Sequence, residues 1–461
     1  VARAEKIMSS GAPRIDREGT VTSTVPHGLR VLRHVVDVQP AELRPALLGC
    51  LYFFLLFTSY FILRPIRDEL AVSAGVSKLP WLFAGTLSAM LLCNPLFSAL
   101  VVRFPVKRFI VISYQFFAFN LLAFFLLSRT MTGTAEVWLG RVFFVWTAVF
   151  NLFAVSIFWA LMSDSFRSEE AKRLYGFIGL GGTLGSIVGS ATTALLARSL
   201  GSAQLMLVSA LLLEMAILVV LAFPNRAALT DGVRKEQTAA TPIGGSVWAG
   251  VTGLVRSPYL IAIAAFLLLY TLGSTVLYFE QTDVIGRFFK TREARTEILA
   301  RMEFGTQLLA ALTQIFLTGR IIRWIGLAAT LALVPTVSIL GFIAMGATSL
   351  GITPLLGTFV VFSVLRRGSN FALTHPAREV LFTVVSREER FKAKSLIDTF
   401  VYRAGDQIAA WTYAGLVALG LTLTGIAWAA VPMCIAFLAL GLWLGRKQSE
   451  LAAETSALRA S

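Results

Sequence analysis

The sequence predicts an all-α polytopic membrane protein, with about twelve transmembrane helices in two pseudo-symmetric six-helix bundles. Three observations lead there. Of 461 residues, 56% are hydrophobic and only 15% are charged, whereas a soluble domain carries about 25% charged residues. Apolar runs long enough to cross a ~30 Å hydrocarbon core recur from end to end. Two polar signatures also recur half a chain apart at nearly one offset.

Residues 1–44 are polar and charged and contain no apolar stretch of signal-peptide length. They read as a cytoplasmic N-terminal tail, with 34–44 suited to a short interfacial helix. The expected spans of the first bundle (45–223) are 45–63, 79–102, 109–128, 137–162, 174–197 and 204–223. Residues 224–258, with Pro224, Asn225, Asp231, Arg234, Lys235, Glu236 and Pro242, read as a cytoplasmic linker. The second bundle (259–445) is expected to hold spans 259–280, 302–318, 325–348, 352–375, 395–419 and 424–444, followed by a cytoplasmic tail at 446–461. The weakest of these are 302–318, which is short, and 352–375, which charge interrupts.

Lysine and arginine placement orients such a chain, because cytoplasmic loops hold the excess. With both termini inside, the cytoplasmic loops carry Arg103, Lys107 and Arg108; Arg167, Lys172 and Arg173; and Arg378, Arg387, Arg390, Lys392 and Lys394. The loop 281–301 dissents with Arg287, Lys290, Arg292, Arg295 and Arg301, mixed with Asp283, Glu293 and Glu297, and reads as a surface helix. The chain is expected to be a multi-pass protein of the cell (inner) membrane, and the balance of charge favours both ends inside. The formal charge of +15 fits anionic lipid head groups as partners. No polar segment interleaves basic and aromatic residues, so nucleic acid is not expected. The three cysteines (Cys50, Cys93, Cys434) and three histidines are scattered, giving neither a disulfide framework nor a metal site. No cofactor is expected, and a monomer is.

Asn151 precedes the pair Glu169-Glu170 by the same eighteen residues that separate Asn370 from Glu388-Glu389. Tyr60-Phe61 and Tyr278-Phe279 close the first and seventh spans alike. Parallel halves of this kind typify secondary transporters, with the substrate site between them near midplane.

Charge inside a span costs about 2.5–3.5 kcal/mol on insertion scales and marks function by default. Arg64, Arg67, Asp68 and Glu69 follow the first span: either Pro65 ends the helix and they form an outside loop, or the helix continues and Arg67 meets a cavity. Arg141, one turn into the fourth span, can snorkel to the surface. Arg366 and Arg367 lie mid-span about 100° apart on a helix, so at least one should line a polar cavity. Asn370 can share a face with Arg366. Arg403 and Asp406 can pair with each other or face substrate, and Glu280 with Asp283 can carry a proton, oppose Arg67 or mark a helix end. In the fifth span Gly181, Gly185 and Gly189 make one smooth face for close helix packing. No phosphate loop, catalytic triad or paired-carboxylate arrangement occurs, so the chain is not expected to be an enzyme.

Three strings carry a family resemblance: YFILRPIRDELAVSAG after the first span, FWALMSDSFRSEEAKRLYGFIGLGGTLGSIVGS across the fourth and fifth, and HPAREVLFTVVSREERFKAKSLIDTFVYRAGDQIAAW across the tenth and eleventh. From about residue 45 to 445 the chain resembles the ATP/ADP translocase (nucleotide exchange transporter) family, a branch related to the major facilitator superfamily. The resemblance implies alternating access and a central anion site. It places a family lysine at Arg67 and a family glutamate at Glu280. At a second family lysine stands Asp406, and a fourth-helix glutamate has no clear counterpart among Thr147 to Asn151. Loss of that lysine predicts weaker hold on a polyphosphate.

The function expected first is secondary active transport of a small anionic metabolite, nucleotide included. Arg67, Arg366, Arg367, Asn370 and Arg403 would bind it, while Glu280 and Asp406 gate or carry a proton. The alternatives are a proton-coupled small-molecule or drug exporter of the major facilitator type, and a non-transporting membrane receptor or assembly partner.

Overall fold

The computed structural model describes residues 39–224, 254, 257–352, 354–385, 393, 394 and 396–460. The expected linker and N-terminal tail therefore lie almost wholly outside the described residues, as do Glu388 and Glu389. Among those described, twelve helical rods follow one another. The first six are α1 (Pro40–Ala74), α2 (Leu79–Arg103), α3 (Val106–Thr130), α4 (Thr134–Ser165), α5 (Ser168–Leu200) and α6 (Ser202–Leu221). Then come α7 (Pro258–Phe288), α8 (Arg292–Phe316) and α9 (Thr318–Gly346). Rod α10 is built in three pieces: Leu355–Ser369, a π-helical turn at Asn370–Thr374, and His375–Leu381. Rod α11 is a π turn at Ile397–Val401 running into Tyr402–Ala418, and α12 is Leu423–Ala460.

Nine of the described helices are long and apolar enough to cross a membrane; α8, α10 and α11 are the rods that fall short. These three carry Glu303, Arg366, Arg367, Arg403 and Asp406 within their length. Their polarity is thus a property of the faces they turn inward, which a hydropathy average cannot separate from lipid-facing ones.

Several boundaries differ from expectation. Rod α1 passes through Pro65 and ends only at Ala74, so Pro65 does not terminate it. Rods α7 and α8 extend into 281–301, leaving only a short connection where a surface helix was expected. Rod α12 continues to Ala460, so the expected tail is mostly helix.

Packing follows small residues. A Cβ on Gly181 would lie 2.1 Å from the Cys50 carbonyl oxygen, on Gly185 2.4 Å from that of Phe54, and on Gly189 2.5 Å from that of Thr58. The glycine face of α5 thus sits directly on the backbone of α1, the use expected of small residues at helix contacts. Gly405 of α11 likewise makes room for the Thr271 side chain of α7. One apolar core, with Phe53, Phe117, Phe150 and Phe158, joins α1, α3, α4, α5 and α6. Others, around Phe266 and Phe437 and around Phe342 and Phe362, join the last six. A fourth cluster, with Phe144, Phe279 and Tyr413, spans both sets.

Candidate functional site

Between the two sets of rods lies a chamber of about 630 Å³. Its walls come from α1, α2 and α4 on one side and α7, α10 and α11 on the other. The repeat signatures meet here: Tyr60 and Tyr278 both line it, as do Asn151 and Asn370. Equivalent positions of two halves facing one cavity is the arrangement expected of a site on a pseudo-two-fold axis.

Six arginines line the chamber: Arg64, Arg67, Arg366, Arg367, Arg378 and Arg403. The continuation of α1 past Pro65 brings in the first two. Arg67 donates to Asp68 at 2.6 and 3.0 Å and lies over the Phe144 ring, while the Tyr278 hydroxyl donates to the same Asp68 oxygen at 3.0 Å. Arg64 donates to Glu303 of α8 at 3.0 Å, and Arg367 of α10 binds the other Glu303 oxygen. Gln307, one turn along α8, donates to Glu303 at 2.8 Å. Glu303 is 3% exposed and stands behind the wall, tying α1 to α10.

Arg366 is different. It is 1% exposed and all its bonds go to neutral groups: Ser338 Oγ and Ser274 Oγ at 2.8 Å and the Tyr270 carbonyl at 3.1 Å. Its guanidinium also lies over the Tyr270 ring. No carboxylate pairs with it among the described residues. Asn370 opens the π turn one helical turn on, and Phe371 and Thr374 of that turn reach the wall too. Such turns reset the facing of the residues that follow and are frequent at functional sites. Arg403 meets Asp406 at 3.4 Å, Thr275 donates to Asp406 at 3.2 Å, and Arg378 pairs with Asp398 at 3.0 Å.

Of the residues expected from sequence, Arg67, Arg366, Arg367, Asn370, Arg403 and Asp406 come together on this wall. Glu280 does not. It is fully buried, off the chamber, and both carboxyl oxygens lack a hydrogen-bond partner among the described residues. It lies on α7 next to Phe279, which packs against Tyr413 of α11. Arg141 stacks on Trp138 away from the wall. Sequence reading passed over Glu303, whose signal was a lone carboxylate inside a weak apolar run. It also passed over Arg378 as a site residue, counting it among the loop cations, and Asp398, which falls at the start of the expected span 395–419.

One end of the chamber is sealed by bonds between the two sets of rods. Arg292 pairs with Glu136 at 2.7 Å, Arg295 with Glu69 at 3.8 Å, and Arg198 with Glu297. Ser202 and Thr296 share a hydrogen bond of 3.3 Å, and Trp81 packs edge-on against Trp411. The four arginines that broke the loop pattern are thus engaged with carboxylates, Arg287 with Asp283 and Arg301 with Glu297 included. At the other end the wall reaches His375, Arg378 and Asp398.

A family model described as TLC ATP/ADP transporter matches residues 77–451. The ADP,ATP carrier protein 1 of Chlamydia muridarum is 24% identical, with 84% of each chain covered. The ADP,ATP carrier protein 2 of Chlamydia trachomatis serovar D is 26% identical over 72% of this chain and 69% of that one. Among solved structures, a D-xylose-proton symporter superposes with a TM-score of 0.60 at 10% identity, covering 88% of this chain and 97% of that one. The nucleoside transporter NupG gives 0.55 at 16% identity, covering 89% and 99%. At such identities these structures show the fold, which is the major facilitator type.

Proposed function

The chain belongs to the TLC ATP/ADP transporter family, and from that premise we propose that it is a secondary active transporter of an anionic metabolite, exchanging nucleotides by alternating access. The observation that carries this is the chamber between the halves, lined by six guanidinium groups. Arginine offers planar, multiply donating recognition of phosphate and carboxylate. Arg67, Arg366, Arg367, Asn370 and Arg403 bind the anion, and Asp406 tunes the site's charge. The bundles 45–223 and 259–445 rock about the chamber, with 224–258 linking them in the cytoplasm. The protein works as a monomer in the inner membrane with both termini cytoplasmic, its basic loops on anionic lipid. In that orientation the sealed end is extracytoplasmic, and the chamber faces the cytoplasm. It is a carrier and not an enzyme.

The test is counter-exchange in liposomes with labelled nucleotides and other anions. Uptake that requires internal nucleotide and disappears in Arg67→Ala is the expected result. Uptake unchanged by Arg67→Ala removes that residue from the site, and no exchange of any anion removes the reading.

A second reading, proton-coupled transport, has Glu280 in its favour. Its carboxyl is buried with no hydrogen-bond partner among the described residues, and an ionisable group at such depth is a site for proton carriage by default. Uptake that follows an imposed pH gradient, and loses that dependence in Glu280→Gln, would select it.

A further inference from the structure

The charge built into the chamber sets the charge of its cargo: we infer that the preferred substrate is a dianion, a phosphate monoester such as a nucleoside monophosphate, and not a tri- or tetra-anionic polyphosphate. This rests on the reading of the chamber as an anion site. The six arginines of the described wall face four carboxylates, three on the wall (Asp68, Asp398 and Asp406) and Glu303 behind it. With each group in its ordinary ionic form and His375 neutral, two positive charges remain. One belongs to Arg366, whose bonds all go to neutral oxygens.

Alternating access requires the loaded chamber to close and cross a low-dielectric layer. Residual charge in such a place is costly whichever its sign. A phosphate monoester carries close to −2 near neutral pH and brings the closed chamber to neutrality. A nucleoside triphosphate free of metal would leave it negative by about as much as it began positive. Aromatic side chains on both walls, among them Tyr60, Phe83, Phe144 and Tyr278, offer faces on which a planar base can stack. Asp406 is the decisive group. It contributes one of the four negative charges and is held toward the site by Thr275 as well as Arg403.

The experiment is equilibrium binding of AMP, ADP and ATP to the purified full chain, in EDTA so that each nucleotide bears its full charge. The wild type should bind AMP at least tenfold more tightly than ATP. Asp406→Lys, which adds two positive charges, should reverse that order, and the gentler Asp406→Asn should fall between them. ATP binding as tightly as AMP in the wild type, or an order indifferent to both substitutions, overturns the inference while leaving nucleotide transport intact. If no nucleotide binds, ribose 5-phosphate and inorganic triphosphate decide. Binding of the former alone retains the dianion and sinks the nucleotide reading, and any other pattern sinks both.

Discussion

Substituting Glu303 separates stranded charge from lost attraction. Its carboxylate sits between Arg64 and Arg367 and is itself 3% exposed, while the two arginine side chains are 19% and 21% exposed. Glu303→Gln keeps the shape and the volume but removes the charge, leaving two guanidinium groups facing each other. Breaking a buried pair by removing one partner costs about 3–5 kcal/mol, chiefly because the remaining charge is left uncompensated. Access of both arginines to the wet chamber argues for the lower end, about 3 kcal/mol. Unfolding in mixed detergent micelles should therefore show Glu303→Gln destabilised by about that amount. The triple substitution Arg64→Gln, Glu303→Gln, Arg367→Gln should recover most of the loss, since neutral groups in contact strand nothing. A triple variant as unstable as the single one, or more so, would refute this account and assign the stability to the attraction itself. Addition of a bound anion should also rescue Glu303→Gln more than the wild type, because ligand that binds only the native state stabilises it in proportion to its affinity.

Three further outcomes follow from the geometry. Gly181→Val should lower the melting temperature and the folded yield, with an overpacking cost of about 1–3 kcal/mol, whereas Gly179→Ala, whose Cβ meets nothing within 4 Å, should leave both unchanged. Arg366→Lys should cut exchange at least tenfold with folded protein retained, because the donors of one ammonium radiate from a single nitrogen and cannot reach Ser338, Ser274 and Tyr270 as the three guanidinium nitrogens do; exchange at the wild-type rate would contradict it. Glutamine in place of Glu69, Glu136 and Glu297 together should loosen the sealed end. The pairs of Glu136 and Glu297 have exposed arginine partners and give at most about 1 kcal/mol each, and the more buried but longer Glu69–Arg295 pair is taken at the same figure, so the triple change, at most about 3 kcal/mol, should raise extracytoplasmic labelling of Thr86→Cys, on the chamber wall, by roughly 150-fold or less in a cysteine-free background.

The amino-acid sequence by itself determined the class, most of the spans and the half-chain repeat. These follow from local hydropathy and spacing, which a bilayer reads almost residue by residue. It also marked where charge had no business in lipid, and Arg67, Arg366, Arg367, Arg403 and Asp406 do meet on one wall. Hydropathy misled at α8 and at the end of α1. Averages there mix a polar inner face with an apolar outer one, and Pro65 inside a long helix is tolerated when neighbouring rods support it. Only the tertiary structure decided which charges find each other. Glu303 binds Arg64 across 239 positions of sequence, Arg366 rests on hydroxyls, and Glu280 turns away from the chamber into apolar packing. Those outcomes depend on the rotation of each rod and on the π turns at 370–374 and 397–401. Rotation is set by contacts between helices far apart in the chain, such as the glycine face of α5 on α1.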